Sequence, residues 1–111
     1  MDRLEHYRQC VRQILSEYNK VKPSYGEVEQ FIMVDPNSDR YQLSTIGWEG
    51  DRRIFSCLIH IDLKDDKIWI QHDGTEFGVA NELVQLGIPK QNIVLGYHDP
   101  NARQLTEFAV G

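Results

Sequence analysis

The chain is short of the residues on which small reactive or membrane-bound proteins depend. It has two cysteines, Cys10 and Cys57, with no Cys-x-x-Cys pair and no Cys/His cluster, so neither a disulfide framework nor a zinc knuckle is available to it. No apolar run approaches the roughly 20 residues a membrane-spanning helix needs. The first residues, Met1-Asp2-Arg3-Leu4-Glu5-His6, are polar where a signal peptide would be apolar. No glycine-rich phosphate loop occurs. Basic charge is scarce too: 12 Lys and Arg stand against 17 Asp and Glu, a net of -5. Neutralising phosphates takes a clustered basic face, so the balance argues against direct DNA contact. These absences place the expected protein in the cytoplasm, off the membrane, with Cys10 and Cys57 reduced in its core.

What is present is ordinary for a globular chain: 41% hydrophobic and 26% charged residues over 111 positions, enough for one domain, residues 1–111, with one modest core. The organising stretch runs from Gly47 to Gly74 and reads as antiparallel strands, with Phe55, Cys57, Ile59, Ile61 and Leu63 alternating with more polar residues. Before it, Leu4, Tyr7, Val11, Ile14, Leu15 and Tyr18 follow helical spacing and predict a helix over about 2–20, closed by Pro23 and Gly26. Strands follow at about Glu27–Val34, up to the turn formers Asp35 to Asp39, and at about Arg40–Trp48.

Parity constrains the loops. For Tyr41 and Leu43 to share a face with Phe55, Cys57 and Ile59, the second and third strands need an odd loop, which Glu49-Gly50-Asp51 supplies. At Lys64 to Lys67 a two-residue Asp65-Asp66 turn pairs Leu63 with Ile68, Ile61 with Ile70 and Ile59 with His72. Two aspartates without a glycine make that turn strained or slightly longer. Asp73 or Thr75, with Glu76 reaching back, is the expected cap of a second helix over about 76–86, stopped by Gly87-Ile88-Pro89 with Leu83 touching Ile88. Asn92 to Tyr97 reads as a last short strand and Ala102 to Val110 as a tail. The fold class is α+β: an N-terminal helix, a four-stranded antiparallel meander, a second helix, and a short final strand or C-terminal tail.

Both helices are expected on the aliphatic face. The opposite face collects Ile46, Trp48, Ile54, Leu58 and Trp69 beside Ser44, Ser56, His60 and Gln71, too much apolar surface to leave in water. Either another protein or a second copy covers it, a dimer being the favoured oligomer, or residues 97–110 fold back over it. The candidate protein interface is Trp48, Ile54, Leu58, His60 and Trp69, with Arg103 from the C-terminal segment.

Reaction chemistry finds little support. His60-x-Asp62 with His72-Asp73 looks like a metal or acid-base cluster in one dimension, but parity puts His60 and His72 on opposite faces. A calcium loop starting at Asp62 meets Lys64 and Lys67 where acceptors and glycine belong. Ser56 and Cys57 lie mid-strand, without the elbow or adjacent base of a nucleophile. No enzyme activity, cofactor, metal site or catalytic residue is expected.

The motifs Gly47-Trp48-Glu49-Gly50-Asp51-Arg52-Arg53, His60-Ile61-Asp62, Lys67-Ile68-Trp69-Ile70-Gln71, Asp73-Gly74-Thr75-Glu76, Gly87-Ile88-Pro89-Lys90 and Ile93-Val94-Leu95-Gly96-Tyr97 carry a resemblance. In this order they are similar to the XisI family, the fdxN element excision controlling factors of cyanobacteria. Leu4-Glu5-His6-Tyr7-Arg8, Arg103 and Thr106 to Val110 extend it over nearly the whole chain. Asp66 departs from it, standing where such proteins often have Gly.

The resemblance implies an accessory regulator of DNA excision in heterocyst development, acting beside a site-specific recombinase and with a XisH-like partner. The family has no established catalytic residues to carry over. Two alternatives stay open: direct DNA binding by the first helix through Arg3, Arg8 and Arg12, and restraint of a nuclease-like partner.

Overall fold

The computed structural model describes residues 2–111. Helix α1, Arg3–Asn19, opens at Asp2, whose carboxylate accepts the Glu5 N–H at 2.8 Å, and buries Tyr7, Cys10, Val11, Ile14 and Leu15 as its spacing predicts. Four antiparallel strands follow: β1 Glu27–Asp35, β2 Arg40–Glu49, β3 Arg52–Lys64 and β4 Lys67–Asp73. Then come α2 Val79–Gln85, β5 Ile93–Leu95 and the short α3 Pro100–Arg103.

The four-stranded meander needs one correction. β5 joins the sheet beside β4 and runs parallel to it, giving five strands of mixed direction in the order β1-β2-β3-β4-β5. Helix α2 carries the chain back along β4, and a strand entered after such a crossover lies parallel to the one before it.

One core lies between the sheet and helices α1 and α2. Tyr41, Leu43, Ile59, Ile61, Leu63, Ile68, Ile70, Ile93 and Leu95 meet the α1 stripe and Val79, Ala80 and Leu83 of α2. Each fully buried aliphatic among them contributes about 1.5–3 kcal/mol over an exposed one. Gln30, the buried polar residue on this face of β1, donates from its amide to the Tyr18 and Val21 carbonyls at 3.2 and 3.0 Å. It thereby ties the end of α1 and the segment after it to the sheet.

Two bulges decide which side chains reach that core. The loop between β2 and β3 has two residues, Gly50-Asp51, because Glu49 pairs with Arg52. An even loop alone would reverse one strand's faces. The ladder corrects this between Leu43–Ile59 and Ser44–Cys57, where Leu58 is the extra residue and its carbonyl turns to accept Gly74 N–H at 2.8 Å. Beyond the bulge the alternation of β3 is inverted relative to the sequence expectation. Phe55 and Cys57 leave the helix side, and Ile54 joins it opposite Gly47. The core placement of Phe55 and Cys57 is thus overturned, as is the outward placement of Ile54 and Leu58, the latter packing against the core.

The β3–β4 turn keeps its two residues, with Asp65 and Asp66 both at positive φ, 55° and 60°. Gln71 then bulges, so Ile59 faces Asp73 where the even count pairs it with His72.

Helix α2 is shorter than the predicted 76–86 and starts at Val79. The Asp73 carboxylate caps it from a distance, accepting Val79 N–H at 2.7 Å and both Thr75 N–H and Thr75 Oγ1 at 2.9 and 2.6 Å. With Asp73 spanning that loop, Glu76 stays exposed and outside the cap. The stop is as read: Gly87 at φ 95° lets Ile88 N–H reach the Leu83 carbonyl at 3.1 Å.

Candidate functional site

On the face away from the helices, cross-strand partners form rows. From the β2–β3 turn inward these are Glu27–Trp48–Arg53, Glu29–Ile46–Phe55, Phe31–Ser44–Cys57, Met33–Gln42–His60 and Asp35–Arg40–Asp62. The first four rows leave large apolar groups in water: Phe55 is 80% exposed, Met33 54% and Trp48 48%. Between Phe31 and Met33 on one side and Phe55 on the other runs a groove of about 350 Å³, with Ser44 and Cys57 among its lining. Trp48 is held from one side by the Arg53 guanidinium, 5.1 Å from its ring centre.

The inner rows are polar and knitted. The Gln42 amide donates to His60 Nδ1 at 2.9 Å, which leaves the ring proton on Nε2, 2.8 Å from Asp62 Oδ1. Gln71 donates to Asp62 Oδ2 at 3.2 Å, and Arg40 Nε stands 3.8 Å from Oδ1. Asp62 is 8% exposed, and these partners satisfy its carboxylate oxygens there. His60 and His72 do not lie on opposite faces: they are cross-strand partners, brought opposite by the Gln71 bulge. Both His60 nitrogens are occupied, and among the described residues no three His, Cys, Asp or Glu side chains are grouped to hold a metal ion.

Trp69 sits opposite Asp62 on the same face, but the chain's own end covers it. Lys64 Nζ lies 4.2 Å from its ring centre and the Arg103 guanidinium 5.3 Å. Arg103 is aimed by its Nε–H, which donates to the His98 carbonyl at 2.9 Å. The segment beyond docks on β5, Ala109 N–H reaching the Ile93 carbonyl at 2.9 Å. The indole N–H of Trp69 is buried beneath without a partner.

Of the six sequence-derived interface residues, then, Trp48 and His60 stand on the open face, Trp69 and Arg103 form a closed stack, and Ile54 and Leu58 face the helices. Residues 97–110 fold back over the β4 end alone and leave β1–β3 uncovered. The reading of composition missed Phe31, Met33 and Phe55. Alternation in β1 could have supplied the first two; Phe55 is outward only because Leu58 bulges.

Each arginine of α1 has a neighbour within the chain, with Arg3 and Arg12 still exposed to solvent. Arg3 lies 3.9 Å from Asp66, Arg8 grips Asp39 and Glu5, and Arg12 covers the Tyr41 ring at 5.5 Å. Lys20 pairs with Glu17, and Lys22 donates to the Gln30 carbonyl at 3.0 Å. The Arg8 hydrogen bond holds the Asp39 carboxyl below the usual range, while burial pushes the Cys57 and Cys10 thiols up, away from the reactive thiolate. Among the described residues no helix is long and apolar enough to cross a membrane.

Residues 1–110 match the family model described as XisI protein. A solved XisI-like protein from Anabaena variabilis ATCC 29413 shares 37% identity and superposes with a TM-score of 0.92, over 99% of this chain and all of that one. The fdxN element excision controlling factor XisI from the same organism shares 33%, with a TM-score of 0.88 over 99% of this chain and the whole of the other. No curated protein matches.

Proposed function

This chain belongs to the XisI family, and from that premise we propose that it is a non-catalytic cytoplasmic factor controlling site-specific excision of a DNA element, working through protein contacts. Support for the excision role comes from the Anabaena variabilis relative, an fdxN element excision controlling factor. The mode of action rests on one observation, the open apolar face of β1–β3 with Phe55, Met33 and Trp48 exposed across it. A face of that kind binds protein, because covering it removes apolar area from water. DNA recognition and strand chemistry then fall to partners: a XisH-like protein or the recombinase, with self-association of this chain. Arg8 is committed to Asp39 and the chain's net charge is -5, which favours this mode over DNA binding by the helix.

Co-purification with a XisH-like protein at low and at high salt, with masses from light scattering, tests this. The expected result is a complex that survives high salt, since an apolar interface is weakly screened. No complex at either salt, together with DNA binding by the chain alone that falls steeply with salt, would replace it by the DNA-binding reading.

A further inference from the structure

We propose that residues 105–111 are a displaceable strap, which fills the outer edge of β5 in the free chain and yields it to an extended segment of a protein partner that adds to the sheet there. The inference rests on the reading of this chain as one that works through protein contacts, and it places a contact at the sheet edge remote from β1.

Three features mark the strap as an imperfect occupant. It pairs with β5 at one position only, Val94 with Ala109, closed by the Ala109 N–H to the Ile93 carbonyl at 2.9 Å. It leaves much of its own apolar surface in water: Leu105 is 89% exposed and Val110 55%, while Phe108 packs against the core in part. Its ion pair, Lys90 Nζ to Glu107 Oε2 at 2.7 Å, is exposed and of the kind that adds little.

The seat beneath is incompletely satisfied. Val94 pairs with Trp69 and shares its face, away from the helices, so the C-terminal segment is what buries it. Val94 and Ala109 are both buried, yet neither joins the core between sheet and helices. A side-chain carbon added at Gly111 would stand 3.9 Å from the Trp69 ring, and the indole N–H lies buried without an acceptor. An unpaired buried donor disfavours the closed state. Opening gives that donor water; a better occupant brings it a carbonyl.

With the strap away, β5 presents the free backbone of an edge strand, which recruits an extended segment through main-chain hydrogen bonds. The opposite edge strand, β1, carries Glu27, Glu29 and Asp35 along one face, charges that discourage such addition.

Hydrogen exchange of the full chain, alone and with a XisH-like protein, reads the strap directly. In the free chain the Ala109 amide is expected to exchange at least about a hundredfold faster than the amides of Ile61 and Ile70. Exchange at the rate of those core amides overturns the proposal. In the complex the amides of residues 105–111 should exchange faster still and those of β5 more slowly. Ala109→Pro removes the N–H that closes the bridge. It should leave far-ultraviolet circular dichroism unchanged and tighten the complex about tenfold, because less of the chain is held closed.

A complex that binds parent and variant equally, or that protects the strap further, overturns the proposal and keeps the reading of protein contacts. No complex with either overturns both. A free chain of twice the 13.0 kDa mass, returned to the single mass by Ala109→Pro, would seat the strap on a second copy and overturns the proposal too.

Discussion

The Arg8 guanidinium holds the Asp39 carboxylate by two parallel hydrogen bonds, Nε to Oδ1 at 3.0 Å and Nη2 to Oδ2 at 2.9 Å, across 31 positions of sequence. Tyr41 adds its hydroxyl to the same Oδ1 at 3.0 Å. A fork of this kind pins α1 to the β1–β2 turn, where Asp39 sits at φ 55°. It also takes Arg8, one of three arginines on the helix, out of any basic stripe, while Arg3 and Arg12 stay exposed.

The pairing makes stability depend on acid. Asp39 is held below its ordinary value, so its contribution is complete above the unfolded value near 3.9 and is lost as pH falls through the folded one. Asp39→Asn keeps the left-handed backbone, which Asn tolerates, and removes the charge. Urea unfolding should show the variant less stable at pH 7, with the gap to the parent narrowing from about pH 4 downward. A gap that stays constant to pH 3 would show that the carboxylate charge is not what Arg8 contributes.

The Leu58 bulge assigns opposite fates to two hydrophobic residues four positions apart. Ile59 is fully buried and Phe55 is 80% exposed. Ile59→Ala should lower the unfolding free energy by about 2–5 kcal/mol. Phe55→Ala should change it by less than about 0.5 kcal/mol. Equal losses at both positions would mean an unbroken ladder with Phe55 in the core.

At the Asp65-Asp66 turn both central residues occupy the left-handed region, as a type I′ hairpin turn requires. Asp66→Gly relieves that backbone at the cost of unfolded-chain entropy, for a net gain of about 0.5 kcal/mol. The exposed Arg3–Asp66 contact it gives up, at 3.9 Å, is worth little. The denaturation midpoint should rise with an unchanged m-value; a fall would reveal that the Asp66 side chain braces the turn.

The sequence by itself determined the elements whose cause is local. The α1 stripe from Tyr7 to Leu15 follows from 3.6-residue spacing, the Gly87 stop from a glycine that can take positive φ, and the Asp65-Asp66 turn from the even count between Leu63 and Ile68. That one sheet face would be apolar was also legible, from Trp48 and Ile46. The motifs along the chain carried its family.

Tertiary structure decided what depends on a partner strand. Period-2 alternation assigns faces only along an unbroken ladder. The extra residues Leu58 and Gln71 have no local mark, because each bulge is set by the strand beside it. Hence Phe55, Cys57 and Ile54 changed sides and His60 met His72. The same holds for β5, whose parallel direction follows from the path of α2, and for Asp73, whose carboxylate caps a helix starting six residues on. Trp69 became covered, and the open face shrank to β1–β3, because the C-terminal segment packs against β5. Such packing compares surfaces far apart in the chain, and no window of sequence contains both.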